Sequence, residues 1–287
     1  MVEPRSDSID PSAFYRWAVH RKRLAAKTAR DYLVWIRHAD TSLESLNTSV
    51  AGATLEDLFV YYDSLKETAW VHNNARSSLM MAYEFLGRED NPAKSLPRWK
   101  IPARLPKDVE LEAAVRLVAR AYDYGPMWGC ITIVFLDTGL RCSELINRKW
   151  SDRVDRRRIY YPSKGGTEKV KELNEEAAAA LDAWQEECPE TEDGWMFPSP
   201  RIKNRPIGIN WATRKVKALG KDVGIPGLHV HRLRHTHAMQ ILRLSGHNVL
   251  AVQDSLGHAR VASTMVYLRT RADLSRAAND QLTFKSG

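Results

Sequence analysis

Pro92, Pro97, Pro102 and Pro106 fall within one short stretch of this 287-residue chain. Each lacks an N–H donor and fixes its own φ, so neither a helix nor a central strand can run through residues 87–107. A chain interrupted there must build a core on either side, and its length is sufficient for two. The expected organisation is a disordered polar tail over residues 1–10, a first domain over 11–90, a linker over 91–107 and a second domain over 108–287. From Lys94 to Lys107 the linker carries five basic residues and no acidic one. Uniform charge sign favours a tether that crosses a phosphate backbone, through Lys94, Arg98, Lys100 and Arg104, over an indifferent solvated spacer.

The first domain reads as four short helices. Phe14, Trp17 and Ala18 recur at helical spacing after a cap at Asp10 or Ser12. A second helix is expected over 28–39, with Tyr32, Trp35 and Ile36 on one face and Lys27 and Arg30 elsewhere. Thr54-Leu55-Glu56-Asp57 resembles a capping box with an acidic first turn. A fourth helix over 71–86 would stop at Gly87. Four helices in so short a span make a small bundle, in which the aromatic side chains are core before they are base-stacking platforms.

The second domain should begin with helices over 108–123 and 126–138, the latter so apolar that it must be buried. Arg141 follows the break at Gly139 and heads a short helix containing Glu144, Leu145 and Trp150. Ile159 to Tyr161 and Lys169 to Leu173 read as two strands around the Gly165-Gly166 turn. An alanine-rich helix over 175–186, a loop over 188–206 and a basic helix over 210–219 with Arg214 and Lys215 come next.

Composition narrows the class. With 44% hydrophobic and 27% charged residues the chain resembles an ordinary globular protein, and a formal net charge of +8 points to a polyanionic partner. No run approaches the ~20 apolar residues that span a bilayer, and MVEPRSDSID lacks an apolar signal core, so no membrane partner is expected. Cys130, Cys142 and Cys188 have no metal-ligand spacing and no even pairing, as expected in a reducing cytoplasm.

The chemistry concentrates between His229 and Tyr267. In His231-Arg232-Leu233-Arg234-His235 a helix puts His231 and Arg234 on one face, at i and i+3. Arg234 is a permanent cation with a fork of donors suited to two oxygens of one phosphate. His231 and His258 can donate or accept near neutral pH, and Tyr267 could act as a nucleophile if its developing charge is held. Asp254 is the only carboxylate in this stretch and no thiol accompanies it, so no usual metal set is spelled out. The inventory is that of phosphoryl transfer with cations in place of a metal ion.

The run HRLRHTHA, the Leu256-Gly257-His258 turn and a tyrosine nine residues on (267 − 258 = 9) resemble the second signature box of the tyrosine recombinases, the phage-integrase and Xer family. The first box resembles Thr138-Gly139-Leu140-Arg141-Cys142-Ser143-Glu144-Leu145. Between them Tyr160-Tyr161-Pro162-Ser163-Lys164-Gly165-Gly166 is similar to the family's hairpin with a lysine at its tip. The resemblance runs over roughly residues 12 to 270.

That resemblance implies a mainly α fold with a small β-hairpin or sheet. An N-terminal four-helix core-binding (SAM-like) domain would precede an α+β catalytic domain ending in a tail helix over 271–285. It also implies a metal-independent and cofactor-free strand transferase. Arg141 and Arg234 would hold the phosphate oxygens, Tyr267 would attack, and Lys164 would protonate the leaving 5′ oxygen. His231 would take the phenol proton and His258 would donate to the phosphate. Glu144 would orient a cation, and His235 would sit in the supporting network. Lys27, Thr28 and Arg30, the four linker cations, Arg214 and Lys215 would contact DNA. Since Lys169 and Lys171 follow in the same hairpin, the lysine that enters the site stays open between them and Lys164.

The implied partners are double-stranded core recombination sites and further copies, a monomer in solution forming a homotetramer through a Holliday junction, with a directionality factor. With about ten residues before the first helix, the chain is expected to read core sites alone. The expected protein is a compact phage-type integrase in a bacterial cytoplasm. A Xer-like resolvase, a non-cleaving DNA-binding relative and a type IB topoisomerase are the alternatives.

Overall fold

A computed structural model describes residues 8–101, 108–162 and 168–257. The chain divides into two compact units, residues 1–103 and 104–287.

In the first unit, α1 (Pro11–Arg16) starts where the Asp10 carboxylate accepts from the Ser12 N–H at 2.9 Å. It runs on as one wider turn over Trp17–Arg21. Helix α2 (Ala26–Leu43) extends the expected 28–39 at both ends and buries Ala29, Ile36, Ala39 and Leu43. Thr54 and Asp57 close a reciprocal capping box on α3 (Leu55–Asp63), as the sequence indicated. Helix α4 (Ala69–Phe85) is capped by Thr68 and is followed by Gly87 at φ 69°. Phe14, Tyr61, Tyr62 and Tyr83 are buried, so these aromatics are core, whereas Trp70 remains 65% exposed.

One expectation needs correction here. Ile9 and Asp10, assigned to a disordered tail, are fixed by the core: Ile9 is buried and Asp10 caps α1. The described part of the linker, residues 91–101, is docked on the bundle. Tyr62 donates to the Pro97 carbonyl at 2.8 Å, Arg76 to Leu96 and Lys94 carbonyls at 2.9 and 3.1 Å, and Asn73 exchanges two hydrogen bonds with the Trp99 backbone. Trp99 stacks on the His72 ring at 3.9 Å. The prolines end regular structure, but side chains of α3 and α4 satisfy the carbonyls that result and bind the segment to the bundle.

The second unit centres on α6 (Pro126–Thr138), apolar on all sides and packed by α5 (Leu111–Asp123), α8 (Glu175–Glu187) and α10 (Val230–Leu244). Between them lie α7 (Cys142–Ile146) and a three-stranded antiparallel sheet of β1 (Arg153–Asp155), β2 (Arg158–Pro162) and β3 (Glu168–Glu172) in that order. Strand β1 was not anticipated. Trp150 lies in a separate short turn after α7, not in the same helix. Helices α9 (Ile209–Asp222) and α11 (Val249–Leu256) complete the described residues. All three cysteines are free thiols.

Candidate functional site

Helix α6 ends at Gly139, in the left-handed region at φ 61°. A Cβ there would meet the His237 ring at 2.6 Å and Leu256 at 3.1 Å, so only glycine lets α10 and α11 close on this turn. The chain then places Arg141 at the cap of α7. Glu144, one turn on, accepts from the Arg141 N–H at 2.8 Å through one oxygen and from its guanidinium at 2.5 Å through the other. The first of these oxygens lies 3.9 Å from the Arg234 guanidinium. One buried carboxylate thus stands between two arginines of different character. The Arg141 side chain is 42% exposed, the Arg234 side chain only 2%.

A guanidinium buried without partners would be costly. Arg234 is held instead by carbonyls of two turns, donating to Gly139 at 2.5 Å and to Leu256 at 2.9 Å. On the same helix His231 is exposed, with its ring edge-on to His235 at 4.4 Å. Desolvation by its crowded surroundings, then the charges of Arg234, His229 and Arg141, hold His231 below the usual imidazole range. At neutral pH it is a proton acceptor.

His237 has a different task. Its Nε2 lies 2.7 Å from the Ser255 hydroxyl and its Nδ1 3.1 Å from the Leu136 carbonyl, joining α10 to α11 and α6. Burial first, then the Lys171 cation, pushes it down to about 3, against the opposing Leu136 bond. It is a neutral pin.

The sequence reading missed what surrounds the exit of α11. Lys171 donates to the Ser255 carbonyl at 2.6 Å and hydroxyl at 3.0 Å, and Lys169 to the Gly257 carbonyl at 3.1 Å. Tyr161, Lys169, Lys171, His237 and Ser255 also line a cleft of about 960 Å³. The available signal was strand register: antiparallel pairing sets Lys169 opposite Tyr161 and Lys171 opposite Ile159, both buried.

Of the expected catalytic residues, Arg141 and Arg234 meet at Glu144, and His231 feels the charges of both arginines, with His235 beside it. Lys164, His258 and Tyr267 lie outside the described residues, as do Arg104 and the tail helix over 271–285. Lys27, Arg30, Lys94, Arg98 and Lys100 are exposed in the first unit, and Thr28 is half-buried. Lys27 pairs with Asp31 at 2.6 Å. In the second unit Arg214 is exposed, while Lys215 stacks over Tyr124 at 4.7 Å and is partly committed there. Among the described residues no helix is long and apolar enough to cross a membrane.

A sequence model of the phage integrase family matches residues 114–273, more than half of the chain. The chain belongs to this family. It is 33% identical over 184 residues to the tyrosine recombinase XerC of Xanthomonas campestris, a match covering 62% of this chain and 55% of that protein. The chain therefore spans about half the length of that curated relative. To XerD of Rhizobium meliloti it is 28% identical over 278 residues, covering 89% of this chain and 88% of the relative. The fold, mainly α with a small sheet, is shared with XerH site-specific recombinase in a post-cleavage complex with a palindromic difH substrate. That likeness has a TM-score of 0.71 at 15% identity and covers 96% of this chain and 85% of that one.

Proposed function

We propose that this family member is a site-specific DNA recombinase that cuts and rejoins strands through a 3′-phosphotyrosyl link. The observation that carries the reading is the Glu144 carboxylate between Arg141 and Arg234. Binding alone needs no such paired cations, whereas two arginines held in register suit the equatorial oxygens of a phosphorus under attack.

In this mechanism the Tyr267 oxygen bonds to phosphorus as the bond to the 5′ oxygen breaks. His231 takes the phenol proton, Lys164 gives one to the leaving oxygen, and His258 donates to the phosphate. A 5′-hydroxyl from a second duplex then attacks the link and releases Tyr267, so no external energy is required. Residues 11–90 serve as the core-binding domain and 108–287 as the catalytic domain, with 91–107 between them. Lys27, Thr28, Arg30, the linker cations, Arg214 and Lys215 hold the backbone of core sites. Four copies act on two duplexes through a Holliday junction, the tail over 271–285 docks into a neighbouring copy, and a directionality factor biases the outcome. The setting is bacterial cytoplasm.

A compact phage-type integrase is the primary role. The XerC and XerD relatives favour a second one, a Xer-type resolvase. Covalent capture of genomic DNA ends on the protein, followed by sequencing, separates the two: phage attachment sites support the first, a chromosomal or plasmid resolution site the second. The activity itself is tested with a nicked duplex of the captured sequence. A covalent adduct that disappears in Tyr267→Phe is expected. Binding without adduct by the wild type would reduce the chain to a DNA-binding relative, and relaxation without exchange between two labelled duplexes would make it a topoisomerase.

A further inference from the structure

Strand β3 is built inside out. Alternation in Glu168-Lys169-Val170-Lys171-Glu172 would put the valine toward the core and both lysines in water. The structure reverses this: Val170 is 44% exposed, and the two lysines turn inward beside Tyr161 and Ile159. Their inward heads meet the end of α11. Lys171 holds the carbonyl of Ser255, Arg234 that of Leu256 and Lys169 that of Gly257. Three successive carbonyls therefore each accept from a different cation.

The last carbonyls of a helix have no partner within it and carry the negative end of its dipole. A single cation near such an end is ordinary. Three in register, two of them on core-facing strand positions where an apolar side chain would pack at lower cost, make a fitting for that turn. Gly257, at φ 62°, is closed in so tightly that a Cβ would come within 2.8 Å of the Tyr161 hydroxyl and 3.3 Å of the Lys169 ammonium.

We infer that Lys169 and Lys171 are positioning residues of the cleavage site, fixing the turn from which the chain enters His258 and, nine residues on, Tyr267. The same strand follows the Lys164 hairpin directly. The base of that hairpin, the Arg234 guanidinium and the root of the His258 segment become one mechanical unit. Neither lysine needs to touch DNA. This inference rests on the recombinase reading.

The test uses the full chain and the nicked duplex described above, with Lys169→Met and Lys171→Met, which keep the aliphatic stem and remove the ammonium. Single-turnover adduct formation should fall about 10–100-fold, the range for partners that orient a reacting group, while the DNA dissociation constant holds. Lys169→Arg, which can still reach the Gly257 carbonyl, should recover most of the rate. Wild-type rates in both methionine variants would overturn the inference, as would cleavage, DNA affinity and melting temperature falling together. Should Lys171→Met fail to fold, Lys169→Met and its arginine counterpart decide alone. A wild type that binds but never forms an adduct sinks the recombinase reading and this inference with it. A wild type that cleaves, with variants that cleave equally, sinks the positioning role only.

Discussion

Glu144 accepts both from the main chain of Arg141 and from its guanidinium, so the residue that starts α7 is oriented by the residue one turn later. Glu144→Gln keeps an acceptor for the N–H and removes the charge between the two arginines. Adduct formation is expected to drop about 10–100-fold with DNA affinity retained. Quench-flow cleavage set against equilibrium binding checks this, and an unchanged rate would remove Glu144 from the site.

His237 makes the fold sensitive to acid. Its ring, held down to about 3, stays neutral in the native protein while the unfolded chain protonates near the ordinary histidine value. In that window the unfolded state binds more protons, so its contribution is present above about pH 6.5 and is lost as pH falls toward 3. The loss should approach about 1.4 kcal/mol per pH unit. Urea unfolding at pH 6 and pH 4 should show it in the wild type and much less of it in His237→Gln.

Lys171 works in the opposite pH range. Burial first, with the Arg234 charge adding and Asp137, Asp254 and Glu172 opposing, lowers its ammonium to about 8. Between that value and the usual lysine range near 10.4 the unfolded chain again holds the extra proton, so stability rises with pH across the interval. Relative to Lys171→Met, the wild type should gain on the order of 2 kcal/mol from pH 8 to pH 10, within the linkage limit for one proton. Parallel unfolding curves across that range would contradict the assignment.

Arg98 and Lys100 remain exposed although the segment around them is docked on α4. If they meet DNA phosphates, Arg98→Ala with Lys100→Ala should weaken binding on every sequence. The logarithmic salt dependence should become shallower by about 1 for each phosphate no longer neutralised. Binding titrations at several salt concentrations measure this, and an unaltered slope would confine both residues to the solvated surface.

Much of the architecture was legible because it rests on local signals. The Thr54–Asp57 box, the uninterrupted apolar run of α6 and the break at Gly139 each reflect short-range chemistry that a sequence displays directly. Arg141 and Arg234 stood out by motif, yet their meeting at Glu144 depends on how α7 and α10 pack, a long-range fact. The docking of Trp99 stayed hidden because proline and charge dominate its neighbourhood, while its partners His72 and Asn73 lie on another helix. Lys169 and Lys171 were obscured for a related reason. Their alternation pattern is sound, but its phase is set by Ile159 and Tyr161 across the hairpin, not by β3 itself.

Gly139 gives the arrangement a narrow tolerance. Its carbonyl receives Arg234, and its bare α-carbon lets His237 and Leu256 approach from two other helices. A single methyl at that point would pry apart the two turns that grip the guanidinium, with no atom of Arg234 altered. The aim of the deepest cation is thus governed by the smallest residue beside it, and a mutation as mild as Gly139→Ala would act as a misalignment of the site more than as damage to the core.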